Sequence, residues 1–154
     1  MTRQITTATL ALLVAAALGT TACGKKEAPQ PAETAQPAPP PAPLAVAGID
    51  LGKAIDADHK VPAPATAFGV RDTIYASVAT TGVGTNATLG ATWSFVKASG
   101  DLIKVNESAM TISPAGPVAT EFHVTNAKPW PKGKYRVEIQ LNGASAGTKD
   151  FEIQ

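Results

Sequence analysis

Three observations predict an all-β fold for this chain, with two antiparallel sheets packed face to face. From Ile74 onward, apolar residues recur at every second position, which is the period of a half-buried strand. Gly, Pro, Asn and Asp interrupt that alternation at short intervals, where tight turns need them. No segment of similar length carries the 3.6-residue apolar stripe of a surface helix.

The strands can be taken in order. Ile74, Ala76 and Val78 share one face, with Thr73, Tyr75 and Ser77 on the other, until Thr81-Gly82-Val83-Gly84 ends the run. Leu89, Ala91, Trp93 and Phe95 then alternate with Thr88, Gly90, Thr92 and Ser94. Ser99-Gly100-Asp101 turns the chain into a short strand from Leu102 to Val105, and a further piece, Met110 to Ser113, stops at Pro114-Ala115-Gly116-Pro117. Val118, Thr120, Phe122 and Val124 oppose Ala119, Glu121, His123 and Thr125. Tyr135, Val137, Ile139 and Leu141 form the next apolar face, and Phe151 and Ile153 the last. Asn142-Gly143, between these two runs, is the strongest short hairpin signal. Each run offers one face to a core and one to water, as antiparallel sheets do. About seven strands at this spacing predict a β-sandwich of immunoglobulin-like type; an up-and-down barrel fits less well, because the loops are uneven. Residues 46–154 are long enough for one core and not two.

The N-terminal third reads differently. Met1 to Gln4 carries one charge, Arg3, and Ile5 to Leu18 is uncharged and mostly apolar. A spanning helix needs about 20 apolar residues, so the shorter run, followed by the small residues Gly19 to Ala22, predicts a cleaved export signal over residues 1–22. Cys23, the only cysteine of 154 residues, follows it directly. A lone thiol on an exported chain invites oxidation or intermolecular pairing, and acylation removes that liability. The competing reading is a chance cysteine beside an ordinary cleavage site. Residues 23–45 then predict a disordered Pro/Ala-rich tether: seven of the thirteen prolines lie between Pro29 and Pro43, with no aromatic or large apolar residue among them. Such composition cannot bury enough surface to offset its ordering entropy. In polyproline II at about 3.1 Å per residue, some twenty residues reach roughly 60 Å. Lys25 and Lys26 could help seat the tether on anionic lipid.

Two resemblances sharpen these readings. Thr20-Thr21-Ala22-Cys23 resembles the lipobox of bacterial lipoproteins, which implies a membrane anchor through lipid on Cys23. It departs from the pattern at Thr20, where Leu is usual. Gly24 is not the Asp that retains such proteins in the inner membrane, so the resemblance implies the outer membrane, on its periplasmic side. Trp130-Pro131-Lys132-Gly133-Lys134-Tyr135-Arg136-Val137, Leu141-Asn142-Gly143 and Phe151-Glu152-Ile153 look like the closing hairpin of bacterial immunoglobulin-like domains. The resemblance implies a core role for Trp93, packed on aliphatic residues in place of a disulfide. It also implies for Tyr135 either a tyrosine-corner hydrogen bond or simple packing.

Candidate chemistry is sparse. Asp56, Asp58 and His59 have the start of a calcium-loop spacing, but Lys60 and Val61 follow where further ligands belong; a solvated turn is expected. His123 falls on the wet face beside Glu121. Two histidines and one cysteine offer no zinc set, and no serine stands in a G-x-S-x-G elbow. No catalytic, metal or cofactor site is therefore expected. Removing residues 1–22 takes away Arg3 and no acid, so thirteen basic residues become twelve against twelve acidic ones. Lys132, Lys134 and Arg136 form only a modest basic group, expected at a solvated strand edge, and nucleic acid is not an expected partner. Two function classes follow: a non-enzymatic module that docks on an envelope protein or glycan, and an envelope enzyme inhibitor or accessory subunit. Convergence of Trp130, Tyr75 and the Thr81–Asn86 loop on one surface would favour glycan or peptide binding.

Overall fold

A computed structural model describes residues Pro40–Gln154. Eight strands run through them: β1 (Ala45–Gly52), β2 (Ala67–Phe68), β3 (Ile74–Thr81), β4 (Ala87–Val96), β5 (Leu102–Ile112), β6 (Val118–Val124), β7 (Gly133–Leu141) and β8 (Ala144–Ile153). They form a three-stranded sheet, β1-β3-β6, and a five-stranded sheet, β2-β8-β7-β4-β5. All ladders are antiparallel except the short one between β2 and β8. The alternating residues interdigitate between the sheets as a core containing Leu51, Ala76, Val78, Leu89, Trp93, Val137 and Ile139.

The turns behave as their residues dictate. Asn142 and Gly143 both take positive φ, 53° and 80°, so β7 and β8 are joined by a two-residue turn of the type whose twist suits a hairpin. At Ser99-Gly100-Asp101 the Lys97 amide donates to the Asp101 carbonyl, 2.9 Å, and the Gly100 amide to that of Lys97, 2.9 Å. Gly82 takes φ 85° where the chain leaves the small sheet. A Cβ there would fall onto the Pro43 carbonyl, because Pro43 bridges Val83 and the Val83 amide donates to Ala42, 3.0 Å.

Several expectations change. The two pieces read around Leu102–Val105 and Met110–Ser113 are one strand, β5. It is the edge of the large sheet and exposed on both faces, so no buried face imposed a period. Val105 is the extra residue of a bulge, since Trp93 pairs with Asn106 and Ser94 with Lys104. β1 and β2 carried no alternation: β1 is Ala- and Gly-rich and breaks register between Val46 and Gly48. Val118, expected inside, is exposed at the start of β6. Ser77, expected on a wet face, is buried, because the loop of residues 53–66 folds over the outer face of the small sheet.

The sheets differ in width, and that decides what remains open. Ile49 of β1 reaches Gly147 of β8, so the small sheet sits over β8, β7 and β4. Three strands cannot roof five. β5 overhangs, leaving Ile103, Val105 and Met110 between 40% and 46% exposed and Leu102 48%.

Candidate functional site

Cys23, the signal segment 1–22 and the tether up to Pro39 lie outside the described residues. No helix among those described is long and apolar enough to cross a membrane. The candidate surfaces are therefore those of the sandwich.

Asp56 builds a turn. Its Oδ1 accepts from the amides of Asp58, 2.9 Å, and Lys60, 2.8 Å, while His59 sits at φ 58°. The carboxylate is thereby spent on its own loop. That loop docks on the small sheet: Ser77 Oγ donates to the His59 carbonyl, 2.7 Å, and the Ala65 amide to Leu51, 2.8 Å. The docking brings the chain's two histidines to one carboxylate, which sequence spacing did not foretell. His123 Nδ1 lies 3.0 Å from Glu121 Oε1 and His59 Nδ1 3.5 Å from Oε2. Tyr75 tilts against the His123 ring at 5.6 Å. Both imidazoles turn a nitrogen to Glu121, and the Ser77 hydroxyl beside them is spent on the His59 carbonyl. Among the described residues no group of three or more His, Cys, Asp or Glu is disposed to hold a metal ion.

The end of the sandwich where β3 begins and β6 ends is organised by aromatics. Trp130 is only 4% exposed; its Nε1 donates to the Asp72 carbonyl, 3.1 Å, and its amide to Val70, 2.7 Å. It caps the core and offers no platform outside. Tyr75 and the Thr81–Asn86 loop lie at opposite ends of β3, so the three do not converge. Tyr135 Oη donates to the Pro131 carbonyl four residues back, 2.8 Å, which is the tyrosine-corner bond. Burial pushes its phenol pKa up, and its ring stacks on Phe151 at 5.4 Å. Trp93 is buried as expected, yet its edge partner is aromatic: Phe151, 5.9 Å away at 77°. The Trp93 Nε1 hydrogen has no acceptor.

Charges pair across strands. Arg136 grips Asp150 with Nε to Oδ1 at 2.6 Å and Nη2 to Oδ2 at 3.1 Å; that hydrogen bond holds the Asp150 pKa below its ordinary value. β7 is a central strand, so the basic group is not the strand edge expected for it. At the aromatic end, Lys53 Nζ reaches Asp72 Oδ2, 2.7 Å, and the Gly69 amide donates to the same oxygen, 2.8 Å. Both bonds lower the Asp72 pKa, the lysine's most.

The surface the sequence concealed is the overhang. Phe95, Ile103, Val105, Pro131 and the edges of Trp130 and Tyr135 line a shallow apolar groove of about 320 Å³ under β5. The outer backbone edge of β5 runs free beside it. The only signal in the sequence was four large apolar residues, Leu102, Ile103, Val105 and Met110, in a stretch without period.

No protein-family model and no curated protein matches the chain. Among solved structures, an immunoglobulin-like protein of Pseudomonas aeruginosa is similar over 73% of this chain and 98% of its own, with 14% identity and a TM-score of 0.52. The alkylpurine DNA glycosylase AlkC of Pseudomonas fluorescens matches 72% of this chain at 13% identity and a TM-score of 0.44; this chain spans 30% of it. A β-glucosidase of Listeria innocua matches 70% at 13% identity and 0.45, and this chain spans 16% of it. Two sheets, their strand order and the first of these likenesses agree: residues 40–154 form an immunoglobulin-like β-sandwich.

Proposed function

We propose that this chain is a lipoprotein of the bacterial cell envelope: exported by residues 1–22, acylated on Cys23, and leashed to the periplasmic side of the outer membrane by the Pro/Ala-rich residues that run from Cys23 to the attachment of Ala42 and Pro43 on the domain. Its immunoglobulin-like domain acts as a non-enzymatic binding module. The observation that carries the anchor is the position of the one cysteine, directly after an apolar leader and before a proline-rich run. A binding role is supported by the sandwich itself, whose polar clusters are spent on structure: Asp56 on its turn, Glu121 on two histidines, Asp72 on Gly69 and Lys53. Trp130 lies inside the core and supplies no stacking surface for sugar rings. That favours an envelope protein over a glycan as partner.

Mass spectrometry of the mature N-terminus tests the anchor, with an acylated Cys23 as the first residue expected. A free thiol there, or an uncut leader, refutes it. Cys23→Ser should release a folded domain from the membrane fraction. Cross-linking in intact cells tests the module, and recovery of glycan fragments without protein would overturn the partner class.

A further inference from the structure

We propose that two copies of this chain associate through β5, pairing edge to edge about a two-fold axis at the Val105 bulge to give one continuous ten-stranded sheet. This goes beyond the binding reading above and does not depend on the lipid anchor.

Register is the first support. Lys104 stands opposite Ser94 and Glu107 opposite Thr92, and alternate residues of β4 share a face. The bulge at Val105 therefore places Lys104 and Glu107 on one face, the outer one, although they are an odd number of residues apart. Their ion pair, Nζ to Oε2 at 2.6 Å, agrees. An antiparallel partner must match faces across the axis. About the bulge this edge does so: Lys104 meets Glu107 of the second copy, Ile103 meets Ser108, and Leu102 meets Ala109. The axis passes between Val105 and Asn106, so Val105 of each strand opposes Asn106 of the other, both on the inner face, and the irregularity is shared and not mismatched.

Charge is the second support. Lys104 and Glu107 are equidistant from the axis, so each copy offers a cation where the other offers an anion, twice over. Edge strands are commonly kept apart by like charges or inward-pointing ones; here the symmetry turns both charges attractive. The third support is the overhang. Ile103 and Val105, uncovered on the inner face, would flank the axis in both copies, each set against Ser108 and Asn106 of the other and withdrawn from water in part. The far edge of the large sheet is β2, two residues long, too short to add further copies. Assembly stops at two.

The test uses the full chain carrying Cys23→Ser, in mild nonionic detergent, so that thiol oxidation cannot link copies. Sedimentation velocity should show a dimer. Lys104→Glu alone and Glu107→Lys alone each put like charges opposite one another at both sites and should weaken association about tenfold or more. An equimolar mixture of the two single variants restores opposite charges at both sites and should dimerise again, as should the double reversal in one chain. The internal ion pair is lost in each single variant whether mixed or not, so recovery on mixing reports contact between copies. A chain that stays monomeric to about 100 µM, a dimer indifferent to the reversals, or single variants that do not recover on mixing overturns the proposal. At concentrations low enough to dissociate the parent, thermal melts of the variants should match it, since both side chains are exposed.

Discussion

Trp93 sets two terms of protein energetics against each other. It is 1% exposed on β4, opposite Val137, with its ring edge on Phe151. Truncation to Ala removes the largest fully buried side chain of the domain and leaves a cavity, costing about 3–5 kcal/mol. Against a typical total of 5–15 kcal/mol, that is a large fraction of the stability. Trp93→Phe is the informative variant. It sheds roughly three heavy atoms, worth about 1–2 kcal/mol of burial. It also removes the Nε1 hydrogen that has no acceptor, and an orphaned buried donor costs about 1–3 kcal/mol to keep. The terms nearly cancel, so Trp93→Phe should lie within about 1 kcal/mol of the parent while Trp93→Ala does not. Urea unfolding followed by far-ultraviolet dichroism, with m-values compared, measures both. A Phe variant destabilised by more than about 3 kcal/mol would mean that the indole hydrogen is satisfied in the folded protein. An Ala variant costing below about 1 kcal/mol would place Trp93 outside the core.

Other expectations follow from single contacts. Tyr135→Phe removes the donor to the Pro131 carbonyl and should cost about 1–2 kcal/mol, several degrees in Tm. Because burial raises the Tyr135 pKa above 10.0, the neutral phenol's contribution is whole below that pH and is lost as pH rises through the folded value; melts across the alkaline range should fall less steeply in the Phe variant. Gly143→Ala meets open space and bears only the cost of positive φ, about 1 kcal/mol, whereas Gly82→Ala adds a collision with the Pro43 carbonyl and should cost clearly more; equal melting temperatures would refute the packing of Pro43. Asp72 has its pKa lowered by Lys53 and Gly69, so its contribution is present above the unfolded value of 3.8 and lost as pH falls through the folded one. Asp72→Asn should therefore narrow the Tm difference between about pH 7 and about pH 2.5; an unchanged difference would remove that carboxylate from the acid transition.

Much of this fold could be read from the chain, for a physical reason that also explains what could not. β3, β4, β6, β7 and β8 each have one face in the core, and burial on one face writes a two-residue period into the sequence. The turn at Asn142-Gly143 and the Tyr135 bond to Pro131 are local, so neighbouring residues suffice to specify them. β5 has no buried face and hence no period; its role as a free edge depends on how many strands the opposite sheet has. β1 mixes Ala and Gly with Val46, Ile49 and Leu51, and its register shift between Val46 and Gly48 breaks the two-residue period. The meeting of His59 with Glu121 spans 62 positions and follows from a loop folding over a sheet, which no spacing rule anticipates. Sequence patterns record what each strand buries, not what its sheet leaves uncovered.

The backbone of Ala42 and Pro43 is fastened to Val83 at one pole of the sandwich, while at the other the Gln154 amide donates to the Phe68 carbonyl, 2.9 Å. β1 leaves the first pole and runs the length of the small sheet beside β3. Tension between the two ends would thus act lengthwise along the ladders, stretching many bonds together instead of peeling them one at a time. A domain gripped in this way resists stretching far better than its size suggests.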